Sequence, residues 1–179
     1  MAACSKTTST PDGFVDALVG GGSDCSTFGA ETSFMTIGGT ENLTAPTTQP
    51  SGTGAVSIQC TVAPSGSNFD LEVGAQGQGG TEITLTGTVS KSGGMVRMTI
   101  SSDTKGVSFL DTACMLTFEY ANSPITQTSQ ELNPGEIWGH LKCTNAVEQG
   151  GIKDDNGDPV TCNADVDFLF NNCEDGSSN

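Results

Sequence analysis

Positive charge is scarce in this chain. Six Lys and Arg residues face 21 Asp and Glu residues, which gives a formal net charge of −15 at pH 7. A surface this acidic repels the phosphate backbone of nucleic acids and the anionic headgroups of lipids. The composition therefore argues against nucleic acid as a partner and against electrostatic binding to a membrane surface.

Histidine is scarcer still, since His140 is the only one. A Ser-His-Asp triad or a Cys-His pair would need it as the base, yet no serine stands in a G-x-S-x-G elbow. The cysteines are not spaced as CxxC pairs, which argues against a structural zinc site. No pair of carboxylates stands out as a glycosidase pair. We therefore predict no catalytic residues, no cofactor, and a protein that is not an enzyme.

Long apolar runs are also missing. No stretch approaches the roughly 20 apolar residues that a membrane helix needs. The first three residues, Met1, Ala2 and Ala3, lack the charged region and the apolar run of a signal peptide. On sequence alone the chain is expected to be a mature form or to carry an added Met1.

Cysteine, by contrast, is plentiful, with seven residues in the chain. Cys4 stands apart, directly before a Ser/Thr-rich stretch at residues 5–11 that has the composition of a flexible tether. An odd number of cysteines asks for an explanation, and the simplest is one cysteine for anchoring and six for three disulfides. Dispersed cysteines of this kind are typical of extracellular chains. The other six are Cys25, Cys60, Cys114, Cys143, Cys162 and Cys173.

The N-terminal residues Ala2, Ala3 and Cys4 resemble the end of the lipobox of bacterial lipoproteins, although Met1 stands where leucine is usual. In that family the cysteine is acylated and becomes the mature N-terminus. The resemblance implies a lipid on Cys4 that holds the protein on a membrane. Ser5 after the cysteine, rather than aspartate, implies sorting to the outer membrane in a Gram-negative cell. The expected location is therefore extracytoplasmic, lipid-anchored at the bacterial outer membrane or cell surface.

From residue 28 onward, apolar residues alternate cleanly with polar ones, which predicts half-buried antiparallel strands. We predict an all-β fold, a two-sheet sandwich of about seven or eight strands spanning residues 14–179, preceded by a flexible tether at residues 1–13. The predicted inner faces, strand by strand, are Val56, Ile58, Cys60 and Val62; Phe69, Leu71, Val73 and Ala75; Ile83, Leu85 and Val89; Val96, Met98 and Ile100; Cys114, Leu116, Phe118 and Tyr120; Ile137, Gly139, Leu141 and Cys143; Ala164, Val166, Phe168 and Phe170.

The pairing of the six cysteines is open on sequence grounds. Cys143 ends one predicted strand and Cys162 begins the next, so Cys143–Cys162 is the preferred pair. Such a bond would close the intervening acidic loop and contribute about 3 kcal/mol on the chain-entropy model. Cys114 also begins an inward-facing strand and competes as a partner. The partners of Cys25, Cys60 and Cys173 stay open.

Two sets of residues are candidates for binding. Asp154, Asn156 and Asp158 superficially resemble a calcium loop, but the EF-hand register puts Ile152 and Asn163 where acidic ligands belong, so a simple turn is the stronger interpretation.

Trp138, His140 and Lys142 share one strand face and could contact a sugar or a partner protein. The alternative is that Trp138 packs against its neighbours.

Together these patterns predict a cell-envelope or surface lipoprotein with a binding or structural role. Its partners would be the membrane, through the N-terminal lipid, and an unidentified protein or glycan. One alternative is a carbohydrate- or calcium-dependent binding module. Another is a subunit of a surface assembly whose copies join through strand edges.

Overall fold

A computed structural model describes residues 9–21, 25, 32–39, 46–120, 123–125 and 132–176. The predicted lipidation site Cys4 and most of the predicted tether lie outside the described residues. No helix in this part of the chain has the length and apolar character to cross a membrane. The strands are β1 (Asp12–Gly20), β2 (Thr32–Ile37), β3 (Gln49–Pro50), β4 (Ser57–Ser65), β5 (Asn68–Gln76), β6 (Thr81–Val89), β7 (Gly94–Ser102), β8 (Val107–Thr117), β9 (Glu119–Tyr120), β10 (Ser123–Pro124), β11 (Leu132–Asn133), β12 (Glu136–Glu148) and β13 (Thr161–Asn171).

One antiparallel sheet dominates the fold. Its strands follow the order β2-β1-β13-β12-β8-β7-β6-β5-β4, with β3 added to β1 and β11 added to β12, while β9 and β10 form a separate hairpin. The all-β prediction is confirmed. The predicted two-sheet sandwich is not: a single sheet curls like half of a barrel, so that its apolar face packs against itself. β1 begins at Asp12, two residues before the predicted start of the domain at residue 14.

The inner face of the curled sheet forms one continuous hydrophobic core. Val62, Leu85, Ile100, Leu141 and Phe168, each from a different strand, are all completely buried. Successive side chains of a strand point to opposite faces, so these positions alternate with polar residues on the outer face. Burial of one such side chain stabilises the fold by roughly 1.5–3 kcal/mol. The predicted inner faces are confirmed for most strands.

Tyr120 is an exception. It is buried in a second, smaller hydrophobic cluster on the outer face of the sheet, together with Phe14, Ile125, Trp138 and Leu169. Strand β8 ends at Thr117, and the chain then turns into the β9–β10 hairpin, which packs against the outside of the sheet. Phe118 lies between β8 and β9 and packs against both the inner and the outer cluster. The predicted alternation through Tyr120 was wrong because the strand ends before it.

The described cysteines form three disulfides, as expected in number: Cys25–Cys162, Cys60–Cys173 and Cys114–Cys143. The preferred pair Cys143–Cys162 is wrong. The register of β12 on β13 shifts after Cys143, so that Cys143 lies opposite Ala164 while Cys162 lies opposite Ala146. Thr144 and Asn145 form the bulge that separates them. Cys143 instead bonds to Cys114 on β8, the competing partner.

Strand β8 also carries a bulge, and Asp111 connects the bulges of β8 and β12. Against β7, Cys114 lies opposite Val96 and Asp111 opposite Met98, so two residues of β8 face one of β7. The buried Asp111 carboxylate accepts hydrogen bonds from the backbone N–H of Ala113 at 2.8 Å and of Asn145 at 3.0 Å. Both donors lie in bulges, where the strand ladder leaves backbone groups without partners. These bonds explain why a carboxylate is tolerated there.

β4 is the edge strand of the sheet, and its outer edge is hydrogen-bonded to the C-terminal segment. The Val62 N–H donates to the Glu174 carbonyl at 2.8 Å, and the Glu174 N–H donates to the Cys60 carbonyl at 2.9 Å. The Gly135 N–H donates to the Val62 carbonyl at 2.9 Å. The Cys60–Cys173 disulfide joins the same two segments covalently. The edge strand β4 is therefore tied back to the segment that follows β13, which is the third strand from the opposite edge in the sheet order.

Replacing Asp111 with alanine should lower the free energy of unfolding by about 2–3 kcal/mol, because hydrogen bonds to a charged acceptor are lost and two amides stay unpaired. Asp111→Asn keeps one oxygen acceptor and should lose less. Urea unfolding of the disulfide-bonded protein measures both effects. Glu72→Ala, at an exposed site on β5, is the control. A loss for Asp111→Ala within the roughly 0.5 kcal/mol expected of a surface change would contradict the assigned role.

Candidate functional site

Acidic side chains from two strands surround the single histidine on the outer face of the sheet. Asp167 on β13 lies directly opposite Asp16 on β1 and His140 on β12. Asp165, two residues before Asp167, points to the same face because side chains alternate along a strand. We call His140, Asp16, Asp165 and Asp167 the His140 cluster.

Both ring nitrogens of His140 face carboxylates. Nδ1 donates to Asp167 Oδ1 at 3.1 Å, and Nε2 lies 3.6 Å from Asp165 Oδ1. The hydrogen bond to Asp167 is the main cause that raises the pKa of His140, and the charges of Asp165, Asp167 and Glu119 add to it against the opposing effect of burial. The cluster therefore favours the imidazolium form, which stands between two negative charges.

Asp16, the remaining acid of the cluster, lies near other negative charges. Burial raises the pKa of Asp16, and the neighbouring charges of Asp167 and Asp165 raise it further. Burial likewise raises the pKa of Tyr120, with Asp167 and Asp16 as secondary causes. One imidazole thus serves several carboxylates, and like charges that face each other favour uptake of a proton.

An aromatic group adjoins the His140 cluster on the same face. Phe14, Leu169 and Trp138 are neighbours across β1, β13 and β12. The β9–β10 hairpin covers them with Tyr120 and Ile125. The Tyr120 ring lies 5.5 Å from Trp138 and 6.0 Å from Phe14, with edge-on geometry to the latter. This second, smaller core fixes the hairpin on the sheet and keeps Tyr120 next to the carboxylates.

Trp138 was a candidate for surface binding, and here the structure corrects the sequence. Trp138 does share a face with His140, but it is only 3% exposed because the hairpin lies over it. Its Nε1 atom is buried and has no hydrogen-bond partner among the described residues. Direct contact between Trp138 and a ligand is therefore excluded in this conformation. His140 keeps 18% of its side chain exposed.

The chemistry open to the cluster is proton exchange. The ring nitrogens of His140 contact the carboxylates of Asp167 and Asp165. A general base would need one nitrogen directed at a nucleophile. An imidazole with a raised pKa keeps its positive charge to a higher pH than a free histidine does. The cluster is thus an acidic patch whose charge depends on pH.

The calcium candidates Asp154, Asn156 and Asp158 are brought together in a tight turn. Asp154 Oδ1 accepts the backbone N–H groups of Asn156 and Asp158, each at 2.9 Å, and Asn156 Nδ2 donates to Asp154 Oδ2 at 3.3 Å. These bonds, that of Asp158 foremost, lower the pKa of Asp154. An aspartate that accepts bonds from its own loop is the usual basis of an Asx-turn. The geometry fits the turn interpretation.

Sequence reasoning missed two buried carboxylates. Glu148, 3% exposed, accepts the N–H groups of Gly150 at 2.6 Å and Ile152 at 2.8 Å and so fixes the start of the acidic loop. Asp111 lies beside Cys114 and Cys143, with one potential metal-ligand atom of each within 4.8 Å of the others. Both sulfur atoms are in a disulfide, and metal binding needs the thiolate. We therefore assign Asp111 the role of stabilising the bulges of β8 and β12 rather than that of a metal ligand.

A signal for Asp111 was present in the alternation of β8 and β12. Asp111 and Cys114 are both buried although they are three residues apart, and so are Cys143 and Ala146. An odd spacing between buried residues of one strand indicates a bulge, because the side-chain period is two. Two such shifts predict adjacent bulges and a change of partner for Cys143.

No protein-family model, curated protein or solved structure matches this chain. The three disulfides indicate an oxidising, extracytoplasmic environment.

The His140 cluster makes stability depend on pH. His140 has a raised pKa in the folded protein, so its stabilising contribution is complete below its unfolded pKa of about 6.5 and is lost as the pH rises through the folded pKa. We expect the free energy of unfolding to fall by about 1 kcal/mol from pH 6 to pH 8.5, the upper range for partly exposed ion pairs. Urea unfolding at both pH values measures it.

His140→Gln should abolish most of this decrease, because the titrating group is gone. Lys142→Gln, at an exposed position two residues along the same strand, should retain it. An equal decrease in wild type and His140→Gln would assign the pH dependence to other groups and contradict the prediction.

Proposed function

We propose that this chain is the displayed domain of a cell-envelope lipoprotein, held by a lipid on Cys4 at the bacterial outer membrane or cell surface. Its role is binding or structural rather than catalytic. The observation that carries the proposal is the set of three buried disulfides in a domain that follows a lipobox-like cysteine. The disulfides support the compartment, and the resemblance at Cys4 supports the anchor.

The disulfides join distant parts of the chain, with sequence separations of 137, 113 and 29 residues. On the chain-entropy model, loops of these lengths give about 4–5 kcal/mol of stabilisation for each bond. Cys25, Cys114 and Cys143 are at most 1% exposed, so reductants reach their sulfur atoms poorly. Crosslinks of this kind suit a protein that must persist outside the cell without chaperones.

The start of β1 and the acidic loop lie at opposite ends of the sheet. Seven residues separate Cys4 from Asp12, where β1 begins, and at full extension the chain from Cys4 to Asp12 spans at most about 28 Å. Asp12 lies opposite Asn171, so the start of β1 is at the end of the sheet where β13 finishes. The acidic loop at residues 149–160 joins the other ends of β12 and β13, about 33 Å away along β13. An anchor at Cys4 would therefore direct this loop away from the membrane.

A non-catalytic role is supported by what the polar groups do. The ring nitrogens of His140 contact Asp167 and Asp165, and the six cysteines of the domain are in disulfides. Asp111 and Glu148 hold backbone amides. The chemically capable side chains thus serve the scaffold. The acidic outer face and the distal loop are the surfaces left for a partner.

The test is the intact mass of the protein extracted from the membranes of its native host, combined with labelling of free thiols in denaturant without reductant. We expect a diacylglyceryl-type adduct on Cys4 and six cysteines protected from the label. Cys4→Ser should shift the protein to the soluble fraction, whereas the control Lys6→Gln should stay with the membrane. Seven reactive thiols, or a membrane-free protein with an unmodified Cys4, would refute the proposal. Substrate turnover abolished by His140→Gln would refute the non-catalytic role.

A further inference from the structure

Two methionines stand out on the surface. Among the described residues, the exposed large hydrophobic side chains are Met95 at 53% and Met115 at 57%. They lie directly opposite each other on β7 and β8. Met35 and Met98, by contrast, are 3% and 0% exposed in the core. Directly paired residues have Cβ atoms about 4.5–5.5 Å apart, so the two exposed thioethers form one spot on the sheet.

The surroundings of this pair are polar. Lys142 lies opposite Met115 on the next strand, and Arg97 follows Met95 two positions along β7. Both methionines point to the outer face, while Val96, Cys114 and Leu116 beside them in sequence point into the core. A chemical change at the sulfur atoms of Met95 and Met115 would therefore alter the surface without disturbing core packing.

We propose that Met95 and Met115 together form a surface site for oxidation to methionine sulfoxide by peroxides. A lone pair of the thioether sulfur attacks one oxygen of hydrogen peroxide, an S–O bond forms and the O–O bond breaks. The departing hydroxide takes up the proton, so that water is the second product. The sulfur is oxidised by two electrons and the peroxide is reduced by two.

Three features of the protein favour this reaction at the pair. Hydrogen peroxide is neutral, so the net charge of −15 does not repel it. The disulfides show that the protein works under oxidising conditions, where such oxidants are not scavenged by a thiol pool. The sulfoxide is polar and stays in water, whereas at Met98 it would be buried. The site can therefore consume two equivalents of peroxide for each chain while the fold persists.

The experiment treats the folded, disulfide-bonded protein with hydrogen peroxide and follows each methionine by peptide mass mapping. Met95 and Met115 should each gain one oxygen at least about tenfold faster than Met35 and Met98, because oxidation of a buried sulfur requires an opening of the fold. The urea midpoint of the doubly oxidised protein should equal that of the untreated protein. Peptide mapping separates these sites from Met1.

Matched variants identify the site. The double variant Met95→Leu/Met115→Leu should lose the fast uptake of these two oxygen atoms, and Met98→Leu should retain it. Oxidation of Met35 or Met98 at the same rate as the pair would overturn the proposal. So would a marked fall in the urea midpoint after oxidation confined to Met95 and Met115, since the change would then not be restricted to the surface.

Discussion

A single sheet with one apolar face has to bury that face against itself, and the fastening of β4 to the C-terminal segment makes this possible. The hydrogen bonds between Val62, Glu174 and Cys60 and the Cys60–Cys173 disulfide hold the edge strand beside the end of β13. Without them the two flanks of the sheet could separate and expose the core between them. The covalent bond closes a loop of more than a hundred residues, so it removes much of the freedom of the open chain. The inner core and the strand order both depend on this closure.

Curling also requires the strands to bend, and the bulges of β8 and β12 supply a bend in the middle of the sheet. A bulge leaves backbone amides without ladder partners, which is costly in a buried place. The single carboxylate of Asp111 accepts a hydrogen bond from an amide in each bulge, and the Cys114–Cys143 disulfide joins the two strands next to it. The bulge, the acid and the disulfide form one unit: the shift of register that brings Cys143 away from Cys162 is the same shift that Asp111 stabilises. The pairing of these cysteines is thus a consequence of how the sheet bends.

The extent to which the sequence predicts this structure follows from the range of each interaction. Alternation is local, and it correctly predicted the inner faces around Val62, Leu85 and Phe168. It carries no information about which strands are neighbours, so a sandwich and one curled sheet looked the same. The Cys143–Cys162 hypothesis failed because β12 carries one extra residue in a bulge between the two positions, although the spacing of Asp111 and Cys114 held the signal. The sequence left open whether Trp138 binds a ligand or packs against its neighbours, because the hairpin that covers it comes from elsewhere in the chain. His140 was correctly placed on the outer face, but its acidic partners come from β13, whose register the sequence did not determine.

The outer face carries an arrangement that would be unfavourable in a weakly stabilised domain. Asp16, Asp165 and Asp167 lie on neighbouring strands of this face, and the His140 imidazole contacts two of them, Asp165 and Asp167. Burial raises the pKa of Asp16, and the charges of Asp167 and Asp165 raise it further. Part of the charge is neutralised by His140, and part of the remaining cost is offset by the aromatic contacts of Tyr120 with Phe14 and Trp138, which hold the hairpin over the adjoining row. The rest is supported by the crosslinked core. Because three disulfides and one continuous inner core stabilise the fold, the outer face can keep this group of like charges. The binding role that we propose would use that face and the loop at residues 149–160, which lies at the end of the sheet opposite the start of β1.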